Sequence, residues 1–203
     1  MKKLIYIHDP MCSWCWGFSP VLKQVIAGLP SDVEVVRLLG GLAVDTDAPM
    51  PVAMQKTIQS TWRRIESTIP GIKFNFDFWK ISQPRRSTYP ACRAVIAARQ
   101  QGAEFDESMT QTIQEAYYQQ ARNPSDESTL IELAAELDLD VDRFTRDLRD
   151  DNTQELLLYE INETRRLGVD SFPSLVFLTD AGVRHIPIDY NDSGPMLEMI
   201  CLL

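Results

Sequence analysis

The fold of this chain is decided by the stretch Asp9-Pro10-Met11-Cys12-Ser13-Trp14-Cys15-Trp16-Gly17. It follows a β-branched and aromatic run at residues 3–7, which predicts a buried strand. It leads into helically spaced apolar residues that continue to about Ala27, and Asp32–Leu39 then predicts a second strand. Because a helical crossover of this kind joins parallel strands, the N-terminal part is predicted to be a β-α-β unit.

The rest of the chain combines a helical segment with a short return to strands. Apolar spacing predicts six helices, at residues 50–69, 87–101, 105–121, 126–137, 141–149 and 151–167. Phe74–Phe78 alternates with period two and is predicted to be an extended crossing segment. Ser174–Leu178 and Val183–Ile188 predict an antiparallel hairpin, and Met196–Leu203 predicts a last helix.

This order predicts an α/β protein in which a β-α-β part and a β-β-α part are separated by a large all-helical insertion. Residues 1–45 and 168–203 are expected to form one α/β domain together, and residues 46–167 the helical insertion domain. A chain of 203 residues can bury a core that needs neither a metal nor a disulfide for stability.

Composition and charge argue against several classes of partner. The chain has 20 Lys and Arg against 29 Asp and Glu, a net charge of −9, which disfavours nucleic-acid phosphates and anionic membranes. No apolar run exceeds five residues, and Leu4–Ile7 is too short for the core of a signal peptide. Four cysteines are too few for a disulfide scaffold. We therefore expect a soluble, cytoplasmic protein with no nucleic-acid or membrane partner.

Cys12 and Cys15 form a Cys-x-x-Cys pair between a predicted strand and a predicted helix, the context typical of redox motifs. Residues three apart on a helix have Cβ atoms about 5 to 6 Å apart, so the two thiols can form and break a disulfide with little movement. Cys12 is expected at the helix N-terminus, where unpaired amides and the helix dipole stabilise a thiolate. Cys15 is expected to face inward as the resolving thiol.

Two other interpretations of the pair remain open. The cysteines could be buried and inert, or they could supply half of a zinc site. Zinc would require two further ligands, and none of the remaining candidates has ligand spacing: His8, His185, Cys92 and Cys201. We therefore expect no metal and favour redox or thiol chemistry.

Pro173 is the second element of the site. It precedes the predicted strand Ser174–Leu178, where a missing amide donor does no harm. A cis Phe172–Pro173 bond would leave the backbone of Phe172 free to pair with an extended substrate. Since most X-Pro bonds are trans, the residues alone do not decide the isomer.

The order of strand, Cys-x-x-Cys helix, strand, helical insertion, Gly-Val-x-x-x-Pro, hairpin and helix resembles the DsbA-like branch of the thioredoxin fold over the whole chain. Within that branch, residues 9–17 are similar to the cytoplasmic FrnE-like, protein-disulfide-isomerase-like oxidoreductases. The resemblance implies a thioredoxin-like fold, with Cys12 as nucleophile, Cys15 as resolving thiol and Pro173 as the cis-proline.

The chain departs from the DsbA-like pattern at two places. Ser13-Trp14 replaces the Pro-His dipeptide of the periplasmic oxidants, which bears on oxidising strength. Phe172 replaces the small β-branched residue usual before the cis-proline, which bears on the shape of the substrate groove. We expect Trp14, Ser171 and Phe172 to contact substrate.

Several other residues are weaker candidates. His8 is expected to be a hydrogen-bonded structural histidine, and Asp9 either a proton acceptor or a turn former. Cys92 and Cys201 are expected to be buried, inert thiols. Arg85-Arg86 is expected to be a solvated loop, with binding of a glutathione carboxylate as the alternative.

The leading hypothesis is a thiol-disulfide oxidoreductase that reduces or isomerises protein or small-molecule disulfides through Cys12 and Cys15. It would need no resident cofactor, with glutathione as a candidate co-substrate, and would be a monomer or weak homodimer. One alternative is a glutathione-dependent isomerase or kappa-class transferase on the same scaffold, against which the intact cysteine pair counts. The other is a non-enzymatic redox sensor.

Overall fold

The computed structural model describes residues 2–202, which contain four strands and nine helices. In chain order these are β1 Lys2–His8, α1 Ser13–Ala27, β2 Val33–Leu39, α2 Val52–Thr68, α3 Phe78–Ile81, α4 Tyr89–Arg99, α5 Phe105–Tyr118, α6 Glu127–Glu136, α7 Val141–Arg149, α8 Asp151–Arg166, β3 Ser174–Thr179, β4 Gly182–Ile186 and α9 Gly194–Cys201.

The four strands form one sheet in the order β2-β1-β3-β4. β1 runs parallel to β2 and antiparallel to β3, which is antiparallel to β4. His8 pairs with Leu39, and Ile7 pairs with Ser174. The C-terminal ends of β1 and β2 therefore lie beside the N-terminal end of β3, at the same end of the sheet. The predicted α/β fold, with β-α-β and β-β-α parts on either side of a helical segment, is confirmed.

Side chains alternate between the two faces of β1, as the pleat of a strand requires. Leu4 and Tyr6 pack in a core with apolar residues of α1 and α9. Ile5 and Ile7 pack on the other face with Val169 and other apolar residues. Because both faces of β1 are covered, its register is strongly fixed and the loop that follows it has a defined position.

Pro20 lies inside α1, as the sequence predicted. Proline has no amide hydrogen, so the carbonyl of Trp16, four residues earlier, loses its helical partner. The hydroxyl of Ser19 donates to that carbonyl at 2.8 Å. A neighbouring side chain thus satisfies the acceptor that Pro20 leaves without its backbone partner.

The helical segment from α2 to α8 has a core centred on the fully buried Trp62 of α2. The six helices predicted in this segment are observed as α2 and α4–α8, and each begins and ends within three residues of its predicted ends. The segment is joined to the sheet by Glu160 of α8, whose carboxylate accepts from the Leu39 amide at 2.8 Å. The division into two domains at residues 45/46 and 167/168 stays a prediction.

The interpretation of Phe74–Phe78 as an extended crossing segment is wrong. Phe76 and Asp77 form a turn, and Phe78 begins the short helix α3. The rings of Phe74, Phe76 and Phe78 all pack around Trp62, with centroids 4.9 to 6.1 Å from it. The alternation therefore reflects packing around one indole ring.

The C-terminal elements differ from prediction in detail. β4 ends at Ile186, two residues before the predicted end, and the predicted helix end at Leu203 lies outside the described residues. The expectation that Cys201 is buried is wrong, since its side chain is exposed. Met196 and Ile200, four residues apart, form the buried stripe of α9, and Cys201 lies about 100° further round the helix. No helix within residues 2–202 has both the length and the apolar character to cross a membrane.

Candidate active site

Cys12 occupies the N-cap position of α1, immediately before the first helical residue. Its amide donates to the carbonyl of Asp9 at 3.0 Å, and its own carbonyl accepts from the Trp16 amide at 3.1 Å. Its side chain is 7 % exposed, whereas that of Cys15, one turn further along, is fully buried. The more accessible sulfur of the pair therefore lies at the N-terminal end of α1.

Cys15 lies beneath Cys12 as a free thiol. Burial raises the pKa of the Cys15 thiol, and the neighbouring Cys12 raises it further through their hydrogen bond and charge. Burial raises the pKa of the Tyr6 phenol on the sheet side, and the nearby Cys15 and Cys12 raise it further. The raised pKa keeps the Cys15 thiol protonated at physiological pH.

The loop before β3 presents its backbone to Cys12. The Phe172–Pro173 peptide bond is cis, and Pro173 is buried. The Cys12 thiol donates to the carbonyl of Phe172 at 3.4 Å. The structure thus places Pro173 and Phe172 beside the cysteine pair, at the position that the sequence analysis predicted.

The ring of Phe172 packs against the backbone of Gly40, at the end of β2. A Cβ atom at Gly40 would lie only 2.0 Å from this ring, so no larger residue fits without movement. The ring also contacts the apolar cluster on the outer face of β1. A bulky residue before the cis-proline is therefore accommodated because residue 40 has no side chain.

A groove of about 410 Å³ opens beside Cys12. The predicted substrate-contacting residues Trp14, Ser171 and Phe172 all line it, together with Cys12. The Trp14 ring packs against Tyr190, with centroids 4.9 Å apart. The Trp14 indole is also covered by the guanidinium of Arg64 at 5.1 Å. The groove is largely apolar and leads to the more exposed thiol, but contact of these residues with substrate stays a prediction.

Sequence reasoning missed the role of Trp62 in this site. The indole N–H of Trp62 donates to the Ser13 hydroxyl at 2.9 Å, linking the helical segment to the dipeptide between the cysteines. Nothing in the local sequence signals this contact, because the partners are 49 residues apart. Its only sign is that Ser13 offers an acceptor where the periplasmic oxidants have proline.

Asp9 is fully buried and joins three segments. Its carboxylate accepts from the amides of Met11 at 2.8 Å and Leu42 at 2.7 Å, and from the Thr88 hydroxyl at 2.6 Å. The buried Cys92 thiol donates to the same carboxylate at 3.5 Å. Burial raises the pKa of Asp9, and these hydrogen bonds oppose the rise. Asp9 is therefore more than a turn former, and Cys92 is buried as expected.

His8 differs from its prediction as a hydrogen-bonded residue. It is 1 % exposed and stacks on Tyr6, yet neither ring nitrogen has a hydrogen-bond partner among the described residues. Burial lowers the pKa of His8 to about 3, with the charges of Arg37 and Arg99 acting in the same direction. His8 is therefore neutral at physiological pH.

Arg85 and Arg86 both line the groove and are half-buried, so the expectation of a solvated loop is wrong. Arg85 donates to the Ser125 carbonyl at 2.6 Å and pairs with the Asp126 carboxylate. Arg86 makes no hydrogen bond or ion pair with any residue in the range 2–202. The Arg86 guanidinium in the groove therefore has no counter-ion among these residues. Within the same range, no three His, Cys, Asp or Glu side chains come together in a group that could hold a metal ion.

Comparison with known proteins agrees with this geometry. A family model described as Thioredoxin matches residues 5–190, which include both cysteines and the cis-proline. The chain belongs to the thioredoxin family. The predicted thioredoxin-like fold and the resemblance to the DsbA-like branch are both confirmed.

Solved structures with a similar fold match over nearly the whole chain. A candidate protein disulfide isomerase from Nitrosomonas europaea has a TM-score of 0.87 at 26% identity, with 99% of this chain and 96% of that one covered. The cytosolic disulfide reductase DsbM from Pseudomonas aeruginosa has a TM-score of 0.79 at 22% identity, with 98% and 97% covered. The second likeness shows the shared fold alone.

The curated relatives of this chain are named as adapter proteins, whereas the similar solved structures are named as disulfide oxidoreductases. ClpXP adapter protein SpxH from Halalkalibacterium halodurans is 26% identical over 185 residues, covering 85% of this chain and 57% of that protein. SpxH from Bacillus subtilis is 26% identical over 202 residues, covering 94% and 64%. The chain therefore spans about three fifths of the length of these relatives.

Proposed function

We propose that this protein is a thiol-disulfide oxidoreductase that reduces or isomerises disulfides, with Cys12 as nucleophile and Cys15 as resolving thiol. The observation that carries the proposal is the position of the Cys12 sulfur, 3.4 Å from the Phe172 carbonyl and at the groove, with Cys15 buried behind it. A substrate chain lying along the groove would pair with the Phe172 backbone and bring its disulfide to Cys12.

The reaction proceeds by two exchanges. The Cys12 thiolate attacks one sulfur of the substrate disulfide, and the other sulfur leaves as a thiolate that takes up a proton. Cys15 then loses its proton and attacks the Cys12 sulfur, which releases the substrate as a second thiol. The substrate gains two electrons, and the protein is left with a Cys12–Cys15 disulfide. Two external thiols restore the pair.

Glutathione is the co-substrate that we propose for this last step. Arg86 supports the proposal, because it lines the groove with Cys12 and has no hydrogen-bond or ion-pair partner among the described residues. A guanidinium binds a carboxylate through paired hydrogen bonds, and glutathione carries two carboxylates. A structure of the similar P. aeruginosa reductase contains GSH, at 21% identity and a TM-score of 0.76. Arg86→Ala should raise the KM for glutathione more than it lowers kcat.

The cysteine pair lacks the Pro-His dipeptide of the periplasmic oxidants, which favours a cytoplasmic reductase over an oxidant. Couples in this superfamily span about −270 to −120 mV. We expect the Cys12–Cys15 couple near the lower value, and a redox titration against glutathione would measure it. A potential near −120 mV would instead indicate an oxidant.

The main test uses insulin and glutathione disulfide as substrates in a Cys201→Ser background, which removes the exposed thiol. Cys12→Ser should abolish turnover, because no nucleophile remains in the groove. Cys15→Ser should accumulate a glutathione mixed disulfide at Cys12, detected by mass spectrometry. Glutathione transfer at full rate in Cys15→Ser would favour the transferase or isomerase alternative. Oxidation of one equivalent without turnover would favour the redox sensor.

An adapter is a second candidate, favoured by the curated relatives named ClpXP adapter protein SpxH. A purely adapter role would not need disulfide exchange. The double variant Cys12→Ser/Cys15→Ser discriminates between the two in a ClpXP degradation assay with a candidate client protein. Full delivery of the client by this variant would support the adapter, and loss of insulin reduction in the same variant would still assign the redox activity to the cysteine pair.

A further inference from the structure

The C-terminal end of β2 is held from outside the sheet by α8. β2 is the first strand in the sheet order, and it packs against α8. The Gly40 amide donates to the carbonyl of His8 in β1 at 2.7 Å, so the preceding amide, that of Leu39, points outward. The Leu39 amide donates to the Glu160 carboxylate of α8 at 2.8 Å. Glu160 thus supplies the acceptor that an amide at a sheet edge requires.

Both oxygens of the Glu160 carboxylate are engaged. One accepts from Leu39, and the other pairs with the Arg99 guanidinium of α4. Arg99 also pairs with the Asp106 carboxylate of α5 at 3.2 Å. Glu160 is buried, and a buried carboxylate is stable only with partners of this kind. Helices α4, α5 and α8 therefore act together on the end of β2.

α8 also packs against the residue that follows Gly40. Gly41 has a φ of +63°, a left-handed conformation that favours glycine. A Cβ atom at Gly41 would lie 2.4 Å from the Ile161 side chain of α8. Gly40 itself contacts the ring of Phe172 and leaves no room for a Cβ atom. The surface on which the Phe172 ring rests is therefore held by α8 on both sides of Gly40.

The backbone of Phe172 is the part of this loop that faces Cys12. Its carbonyl accepts from the Cys12 thiol at 3.4 Å, and in the proposed function the same backbone pairs with an extended substrate. Glu160 does not line the groove at Cys12. It is connected to the groove through the Leu39 amide, the Gly40 backbone and the Phe172 ring, each in contact with the next.

We propose that Glu160 is a positioning residue for disulfide substrates that carry a peptide backbone. By holding Leu39, it keeps Gly40 against the Phe172 ring and keeps the Phe172 backbone in the orientation that an extended substrate needs. A small disulfide without peptide groups does not pair with that backbone and is therefore insensitive to Glu160. The proposal rests on the proposed function, because it requires that disulfides react with Cys12 in the groove.

The test compares two disulfides in single-turnover reactions of the prereduced full chain, in the Cys201→Ser background. Insulin has peptide groups beside its disulfides, and bis(2-hydroxyethyl) disulfide has none. Tryptophan fluorescence follows oxidation of the Cys12–Cys15 pair and gives a second-order rate constant for each disulfide. Glu160→Met keeps the side-chain length and removes the acceptor. The rate constant for insulin should fall about three- to tenfold, as loss of one neutral hydrogen bond predicts, and that for the small disulfide should stay within about twofold.

Two further variants serve as rescue and control. In Glu160→Gln the amide oxygen should accept from Leu39, because the Leu39 amide is buried whereas Arg99 keeps Asp106 and is partly exposed to solvent. Insulin should therefore react within about twofold of the wild-type rate. Asp106→Asn removes the charge of the other carboxylate on Arg99 and leaves the Leu39–Glu160 hydrogen bond in place. Both disulfides should react with this variant as with the wild type.

A second measurement does not depend on reaction with disulfides. In ¹H–¹⁵N NMR spectra of the reduced protein, Glu160→Met should shift the amide signals of Leu39 and Phe172, and Asp106→Asn should leave the Phe172 signal in place. If Glu160→Met does not fold, Glu160→Asp replaces it with the same expected results, because its carboxylate is one methylene too short to reach Leu39.

Three results would each overturn the proposal: an unmoved Phe172 signal in Glu160→Met, an equal slowing of both disulfides, or a Glu160→Gln variant as slow with insulin as Glu160→Met. In these cases the wild type still reacts, and the proposed function stands. A wild-type protein that reacts with neither disulfide would refute the proposed function and this proposal together.

Discussion

The sheet side and the helical side hold the cysteine pair by different kinds of contact. On the sheet side the contacts to Cys12 come from backbone carbonyls, those of Phe172 and Asp9. On the helical side the contacts come from side chains, as in Trp62 to Ser13 and Thr88 to Asp9. Backbone contacts persist when side chains change, whereas side-chain contacts are lost with one substitution. The helical segment is therefore the part through which sequence change can tune the site without altering the fold.

The largest effect should come from Asp9, where the two kinds of contact meet. Asp9→Ala leaves the Met11 and Leu42 amides and the Thr88 hydroxyl without their acceptor. Each buried unsatisfied group costs about 1–3 kcal/mol, so the free energy of unfolding should fall by about 3 kcal/mol or more. Chemical denaturation measures it, with the exposed Asp47→Ala as control, expected within about 0.5 kcal/mol of wild type. Equal effects of the two substitutions would show that the hydrogen bonds of Asp9 do not contribute to the free energy of unfolding.

Acid should change the stability contributions of two buried groups, one on each side, in opposite directions. On the sheet side, His8 has a pKa of about 3 against 6.5 when exposed, so the unfolded state binds more protons and stability is lost as pH falls below 6.5. On the helical side, burial raises the pKa of Asp106 to about 6 from 3.8, so the folded state binds more protons and stability is gained as pH falls from about 6 to 4.

Matched variants separate these contributions. Relative to wild type, His8→Phe should gain about 2 to 3 kcal/mol between pH 7 and pH 4, and Asp106→Asn should lose a similar amount. The measurement is the free energy of unfolding in urea at each pH. Parallel pH profiles for wild type and both variants would contradict the assignment of these two groups.

The contact between Phe172 and Gly40 is the side-chain exception on the sheet side. Gly40→Ala places a methyl group 2.0 Å from the ring, and overpacking of this kind costs about 1–3 kcal/mol. Because the ring must move, kcat for insulin reduction should fall as well. Gly102→Ala is the control, since its added Cβ meets only the flexible carboxylate of Glu104. Unchanged stability and kcat in Gly40→Ala would show that the loop adjusts freely.

The smallest effect is expected for the link between Trp62 and Ser13. A double-mutant cycle with Trp62→Phe and Ser13→Ala should give a coupling energy of about 1 kcal/mol in unfolding. The same cycle measured on the Cys12–Cys15 reduction potential tests whether the helical segment tunes the redox pair. Additive shifts in potential would limit Trp62 to a structural role.

The parts that sequence could predict are those with local signatures. Cys12 and Cys15 stand at a fixed spacing after a strand, and Pro173 begins a strand, so their positions follow from patterns a few residues long. Gly40 under Phe172 and Trp62 over Ser13 could not be found in this way. Each depends on the packing of segments far apart in the chain, which no local periodicity encodes.

Two mistaken expectations have related causes. The alternation of Phe74–Phe78 indicated an extended segment, but its three phenyl rings pack around one large ring, that of Trp62. Cys201 was expected to be buried because it lies in an apolar C-terminal helix, yet α9 buries only the stripe of Met196 and Ile200. In both cases the sequence identifies the apolar residues correctly. Packing against other parts of the protein then decides their conformation and which of them are buried.

The outward position of Cys201 has a practical consequence for every thiol measurement on this protein. A colorimetric thiol reagent added to the native protein will count Cys201 at once, whatever the state of the cysteine pair. Air oxidation can also join two chains through a disulfide at this residue. A dimer band on a non-reducing gel would then reflect oxidation during storage. Cys92, held inside by Asp9, will be counted only after denaturation. A correct count of the free thiols of the Cys12–Cys15 pair therefore requires the Cys201→Ser background.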